Sequence, residues 1–216
     1  MKPVRILIAD DHELIRRGLA ATLSDVEGWT VVGEAENGRK AVELAHSTQP
    51  DVVILDMTMP ELNGLEAARQ ILAERTGTRV LILTAHESEQ LVREVLNAGA
   101  QGYVLKSDAG KALVSAVEAL MDGRPFFTSR VARMVLDGFL RSQEGAPGDP
   151  AQTLSPRERE ILQLLAEGKS NKEVARALGI TVKTAETHRA NVMRKMEFAS
   201  LSDLVRYAIR NNIVGP

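Results

Sequence analysis

The chain of 216 residues contains no cysteine. That absence excludes a disulfide framework, thiolate-ligated zinc or iron–sulfur sites, covalent haem attachment and a thiol nucleophile, and it fits a reducing compartment. Long apolar runs are missing too: none approaches the ~18 residues of a membrane span. The opening Met1-Lys2-Pro3-Val4-Arg5 leads into only Ile6 to Ala9 before Asp10-Asp11, too short an apolar stretch for a secretory signal. A soluble cytoplasmic protein with no membrane partner is expected. Charge of one sign is lacking as well, with 27 basic against 29 acidic side chains and a net −2. Near neutrality argues against a polyanion partner only if the charge is evenly spread.

It is not. Ser142 to Thr153 (SQEGAPGDPAQT) has four Gly or Pro among twelve residues and no apolar periodicity, the composition of a flexible linker. Residues 1–125 hold 13 basic and 19 acidic side chains, residues 126–152 three of each, and residues 153–216 eleven basic and seven acidic. An acidic first domain (1–125), a connecting segment (126–152) and a basic second domain (153–216) are therefore expected. No internal repeat is present.

In the first part, five short apolar runs alternate with amphipathic stretches. The runs Val4 to Ala9, Thr30 to Ala35, Val52 to Leu55, Val80 to Leu83 and Gly102 to Leu105 are mostly apolar on consecutive residues, as strands buried on both faces of a parallel sheet must be. Helical patterns lie near Glu13 to Ser24, Gly38 to Ser47, Gly64 to Glu74, Ser88 to Asn97 and Asp108 to Met121. The prediction is an α/β, flavodoxin-like (βα)₅ domain with parallel sheet order 2-1-3-4-5. A further helix is expected over Thr128 to Leu140.

Each informative strand ends on a polar residue: Asp10-Asp11 after the first, Asp56 after the third, Thr84 at the fourth and Lys106 after the fifth. Ligands bind beyond the carboxyl ends of such strands, between strands 1 and 3 in this order. Three converging carboxylates call for a proton or a cation, and oxygen donors select Mg²⁺ or Mn²⁺. A cation, an ammonium and a hydroxyl around one carboxylate equip a site for phosphoryl transfer, with the central Asp56 as the attacking group.

Residues from about Val4 to Gly123 resemble the receiver domain of bacterial two-component response regulators, through Asp10-Asp11, the segment Asp56-Met57-Thr58-Met59-Pro60-Glu61-Leu62-Asn63-Gly64, Thr84-Ala85 and Tyr103-Val104-Leu105-Lys106. The resemblance implies that Asp56 accepts a phosphoryl group from a sensor histidine kinase. It implies Mg²⁺ held by Asp11, Asp56 and the Thr58 backbone carbonyl, with Asp10 assisting. Lys106 and Thr84 would contact phosphoryl oxygens, Ala85 would keep the approach open, and Tyr103 would move inward as a switch. Many receivers have proline after this lysine; here Ser107 follows, and the bond is expected trans. His12 and His86 read as loop histidines beside a site whose carboxylates suffice for the cation.

In the second part, Ser155, Ser170 and Ser200 each precede an acid by three residues, a capping-box pattern, and a fourth helix opens near Thr181. Four short helices with a Leu178-Gly179-Ile180-Thr181 turn read as a helix-turn-helix. On the helix from Thr181 to Met196, Val182, Ala185, Val192 and Met196 form the predicted core stripe. Arg189 is placed as an ion-pair partner for Glu160. The last helix puts Leu201, Leu204, Val205, Ala208 and Ile209 on one stripe.

Residues Thr153 to Asn212 resemble the LuxR-type helix-turn-helix domain, through LSPRERE, EGKSNKEVARALGIT and VKTAETHRANVMRKM. The resemblance implies that Asn171 to Ala190 is the helix-turn-helix and that Lys183, Thr184, Thr187, Ala190, Asn191 and Lys195 meet DNA. Receiver plus LuxR-type domain resembles the NarL/FixJ subfamily: a DNA-binding transcription factor with a kinase and double-stranded promoter DNA as partners, and a homodimer when phosphorylated or DNA-bound. Phosphorylation would either free an occluded recognition helix or promote dimerisation. Two alternatives stand beside this. A phosphatase or phosphotransferase would commonly carry a second Asp at position 58, where Thr58 stands; a phosphorylation-independent regulator would use its receiver only to dimerise.

Overall fold

The computed structural model describes residues 3–74, 77–128, 131–133 and 154–215. The first domain runs β1 (Val4–Ala9), α1 (Glu13–Ser24), β2 (Trp29–Ala35), α2 (Gly38–Thr48), β3 (Val52–Asp56), α3 (Gly64–Glu74), β4 (Arg79–Thr84), α4 (Glu89–Asn97), β5 (Gly102–Leu105), a 3₁₀ turn (Lys106–Asp108) and α5 (Ala109–Met121). All strand pairs are parallel, in the order 2-1-3-4-5-6. The addition to expectation is β6, Phe126–Phe127, which pairs with Gly102 and Tyr103 of β5. Two residues are too short for periodicity to register.

Consecutive apolar residues are explained by the two cores. Leu7, Val53, Leu55 and Ile82 face the side covered by α2, α3 and α4, while Ile6, Ile8, Ile54 and Leu83 face α1 and α5. Successive side chains point to opposite faces, so a sheet sandwiched between helix layers needs apolar residues at both parities. That leaves the strand ends as the place for polar groups. Of the helix expected over Thr128 to Leu140, residues 131–133 are helical and Val131 is fully buried against the α2–α4 side. Its remainder and the linker fall outside the described residues.

The second domain contains α6 (Pro156–Ala166), α7 (Asn171–Leu178), α8 (Val182–Lys195) and α9 (Leu201–Arg210). Ser155, Ser170 and Ser200 close complete capping boxes, and the Thr181 hydroxyl accepts from the Thr184 N–H. Ile161, Leu164, Leu165, Val174, Ala185, Val192, Leu204 and Ala208 form its core. Two stripes are narrower than periodicity implied. Val182, in the first turn of α8, is exposed, and on α9 Leu204 and Ala208 point inward while Leu201 and Ile209 are exposed. A short helix crosses its core at only a few positions, so its terminal apolar residues overhang. Among the described residues, no helix is long and apolar enough to cross a membrane.

Gly64 positions the site. A Cβ there would lie 2.0 Å from the carbonyl oxygen of Asp56, because the start of α3 folds back so that the Gly64 N–H donates to the Met57 carbonyl at 2.9 Å. Gly64→Ala is expected to lower the unfolding free energy by about 2 kcal/mol or more in urea denaturation. Gly110→Ala, in α5 with open space around it, is expected to be neutral or to stabilise by up to ~1 kcal/mol.

Candidate functional site

The strand ends bring Asp10, Asp56 and Lys106 together. The Lys106 ammonium lies 2.7 Å from Asp10 Oδ2 and 3.0 Å from Asp56 Oδ2. Asp10 and Asp56 are buried. Asp10 is held from behind: its Oδ1 accepts the His12 N–H, and its backbone carbonyl accepts from Arg16 Nη1 at 2.7 Å. Arg16 escaped sequence reasoning, since an arginine one turn into α1 carries no motif. His12 is a largely exposed loop histidine, as expected, with Nδ1 2.7 Å from Asp11 Oδ1.

Oxygens of Asp10, Asp11 and Asp56 and a nitrogen of His12 lie within 4.8 Å of one another. Carboxylate oxygens gathered this closely are the kind of donors a hard divalent cation takes. Its electrostatics fit one: burial pushes the Asp56 carboxyl up to about 6, opposed by Lys106 and reinforced by the charges of Asp10 and Asp11. For Lys106, burial works against the charge, but hydrogen bonds to Asp10 and Asp56 and their charges hold it above the usual lysine value.

The remaining residues ring this centre. Thr58 and exposed Ala85 line the same cleft, together with His86 and Lys106. Thr84 is buried, and its hydroxyl accepts the His86 N–H at 3.1 Å. Tyr103 is fully buried and donates from its hydroxyl to the His86 carbonyl at 2.8 Å. Burial, with the charge of Glu87, holds that hydroxyl well above the ordinary tyrosine pKa. The Lys106–Ser107 bond is trans, as expected.

The helix-turn-helix presents α8 outward. Lys183, Thr187 and Ala190 are exposed, with Thr184 and Asn191 half-buried beside them. The expectation of an occluded recognition helix is not met in this arrangement, because the receiver docks on α6 instead. Lys195 is exposed as well, with its Nζ 2.7 Å from Glu158 Oε2. Burial disfavours that glutamate's charge, yet Lys195 and the Ser155 N–H hold its pKa below the usual range. The predicted Arg189–Glu160 pair is absent. Arg189 Nη1 donates to Asn171 Oδ1 at 3.3 Å, while Glu160 accepts from Arg157 in its own domain and from Arg39 and Gln70 of the receiver.

That network belongs to an interface that sequence reasoning did not find. Gln163 is fully buried; its carbonyl oxygen accepts the Asn63 N–H at 2.8 Å and its amide donates to the Met59 carbonyl at 2.9 Å. Glu167 Oε1 accepts the Glu61 N–H at 2.9 Å, and Glu61 has a left-handed φ of 67°. Arg159 Nε donates to buried Glu66 at 2.6 Å. The one available signal was a lone glutamine inside the apolar run Ile161-Leu162-Gln163-Leu164-Leu165.

Residues 6–118 match the family model of the response regulator receiver domain, and residues 152–208 that of bacterial regulatory proteins of the luxR family. The chain belongs to the NarL/FixJ response regulators. Among relatives of this regulator, the transcriptional regulatory protein LiaR of Bacillus subtilis is 39% identical over 211 residues, covering 98% of this chain and 99% of LiaR. The RcsB response regulator of Salmonella typhimurium superposes with a TM-score of 0.65 at 27% identity, over 98% of this chain and 99% of RcsB. An RcsB–DNA complex gives a TM-score of 0.60 at 27% identity, over 97% and 98%. The regulator therefore joins a receiver to a LuxR-type DNA-binding domain, and its relatives are transcriptional regulators.

Asp56 generates a stability prediction. Unfolded, its carboxyl titrates near 3.8; folded, it keeps its proton to about 6. The folded state thus binds this proton more tightly, so stability from this group falls as pH rises from 3.8 to 6 and stays reduced above. Asp56→Asn is expected to raise metal-free stability at pH 8 by roughly 1–3 kcal/mol in urea melts, and the gain should vanish below pH 4.

Proposed function

We propose that Asp56 is the phosphoacceptor of a transcription factor, taking its phosphoryl group from a phosphohistidine of a sensor kinase. The observation that carries this reading is the Lys106 ammonium set between buried Asp10 and Asp56. A carboxylate oxygen of Asp56 bonds to phosphorus as the phosphorus–nitrogen bond breaks, and the electron pair stays on the imidazole. Lys106 Nζ and the Thr84 hydroxyl are the donors for phosphoryl oxygens, and Ala85 leaves room above the carboxylate. Mg²⁺, or Mn²⁺, would be held by Asp11, Asp56 and the Thr58 carbonyl with Asp10 assisting, and would supply neutralisation of the developing phosphoryl charge. Phosphorylation and its reversal are the only chemistry the chain performs on itself.

The output is promoter binding by α8. Lys183, Thr184, Thr187, Ala190 and Asn191 are the base- and phosphate-facing set, within Asn171 to Ala190. Lys195, exposed beside them and paired with Glu158, belongs to the same set. The exposed Leu201 and Ile209, flanking the buried Leu204 and Ala208 on the same stripe, supply apolar contact for a second copy, and a homodimer matches two half-sites. The domain division 1–125, 126–152 and 153–216, and a cytoplasmic location, belong to the same reading.

With acetyl phosphate and Mg²⁺, wild-type chain is expected to gain one phosphoryl group by intact-mass spectrometry and Asp56→Asn none; equal incorporation in both would remove Asp56 from the role. For DNA, Lys183→Ala should weaken promoter binding and reduce the slope of log affinity against log salt by about one. An unchanged slope would place Lys183 off the phosphates.

A further inference from the structure

The second domain does more than lie beside the receiver: it walls the cleft over Asp56. That cleft, about 580 Å³, has Asp56 and Lys106 at the receiver side and Ala166, Glu167, Val214 and Gly215 opposite. The terminal segment is placed at both ends. Gln90 of α4 donates to Asn211 Oδ1 at 3.3 Å, and a Cβ on Gly215 would lie 3.8 Å from Thr58 Cγ2. The domain is secured by Gln163, Glu167 and Arg159 on the β3–α3 loop and α3.

We propose that the docked DNA-binding domain sorts the phosphodonors of Asp56 by size, admitting small acyl phosphates and excluding a protein-borne phosphohistidine until it lifts away. This inference rests on Asp56 being the phosphoacceptor. A small donor needs only the cleft: the Asp56 oxygen bonds to phosphorus, the phosphorus–oxygen bond breaks and acetate leaves with the electron pair. A phosphohistidine arrives on a helix that is ~10–12 Å across with its side chains, and its phosphorus must come to about 3 Å from the carboxylate. Glu167, Val214 and Gly215 line the cleft that this helix would have to enter. Transfer then breaks the phosphorus–nitrogen bond, with the pair left on an imidazole already protonated at its other nitrogen. The protein donor therefore reacts only with the undocked fraction, whereas the small donor reacts with both.

The test compares initial rates of phosphate incorporation into the full chain, with Mg²⁺, from acetyl phosphate and from a phosphorylated four-helix histidine phosphotransfer domain. Gln163→Ala, and separately a chain ending at Ile213, should each raise the rate from the protein donor by about tenfold, through a larger undocked fraction. The acetyl phosphate rate should stay within about twofold of wild type, which also reports an intact receiver. A rise of equal size with both donors, or no rise with the protein donor in either variant, would overturn the sorting. Failure of the underlying assignment looks different: acetyl phosphate would label neither wild type nor variants, or would label Asp56→Asn as well.

Discussion

The ammonium of Lys106, shared by two buried carboxylates, is the interaction on which the rest of the site depends. Without it, Asp10 and Asp56 would face each other in a desolvated pocket with no compensating charge; with it, Asp56 still holds its proton to about 6. One cation offsets part of the repulsion and leaves the remainder for a divalent ion and a phosphoryl group to complete. The sheet makes this crowding possible. Strands β1, β3 and β5 end at one edge of a parallel sheet whose body is mostly apolar, so their terminal polar residues converge where backbone groups are free and water is scarce.

The same edge also carries the coupling between domains. Gln163 reads no side chain of the receiver; it binds two backbone groups of the β3–α3 loop, and Glu167 binds a third. A buried amide that satisfies both its donor and its acceptor across an interface costs little while docked and leaves unpaired polar groups when apart. Around it, Glu66 and Glu160 are buried carboxylates whose partners come from both domains. Such a polar interface is suited to reversible association, unlike an apolar one of the same extent. The outward-facing recognition helix follows from this choice of docking surface, since α6 and not α8 is what the receiver covers.

Much was legible beforehand because local rules and chemistry coincided. Most strand runs were apolar at both parities, and that pattern has one economical explanation. The serine capping boxes marked three helix starts to the residue, because a cap is satisfied within its own turn. Errors fell where an answer depended on distant partners. Arg189 and Glu160 were paired on helical spacing alone, whereas Glu160 is occupied by Arg157, Arg39 and Gln70.

The sequence by itself determined the two folds, the strand order, the acidic cluster with its lysine, and the family, since these rest on periodicity, caps and strand-end residues that act within tens of residues. Only the tertiary structure decided how the halves meet, why Gly64 must be glycine, and which residues wall the cleft over Asp56. Those answers depend on close approach between segments about a hundred residues apart, such as Asn63 and Gln163. No periodicity records such a contact, because its geometry is set by the packing of whole elements.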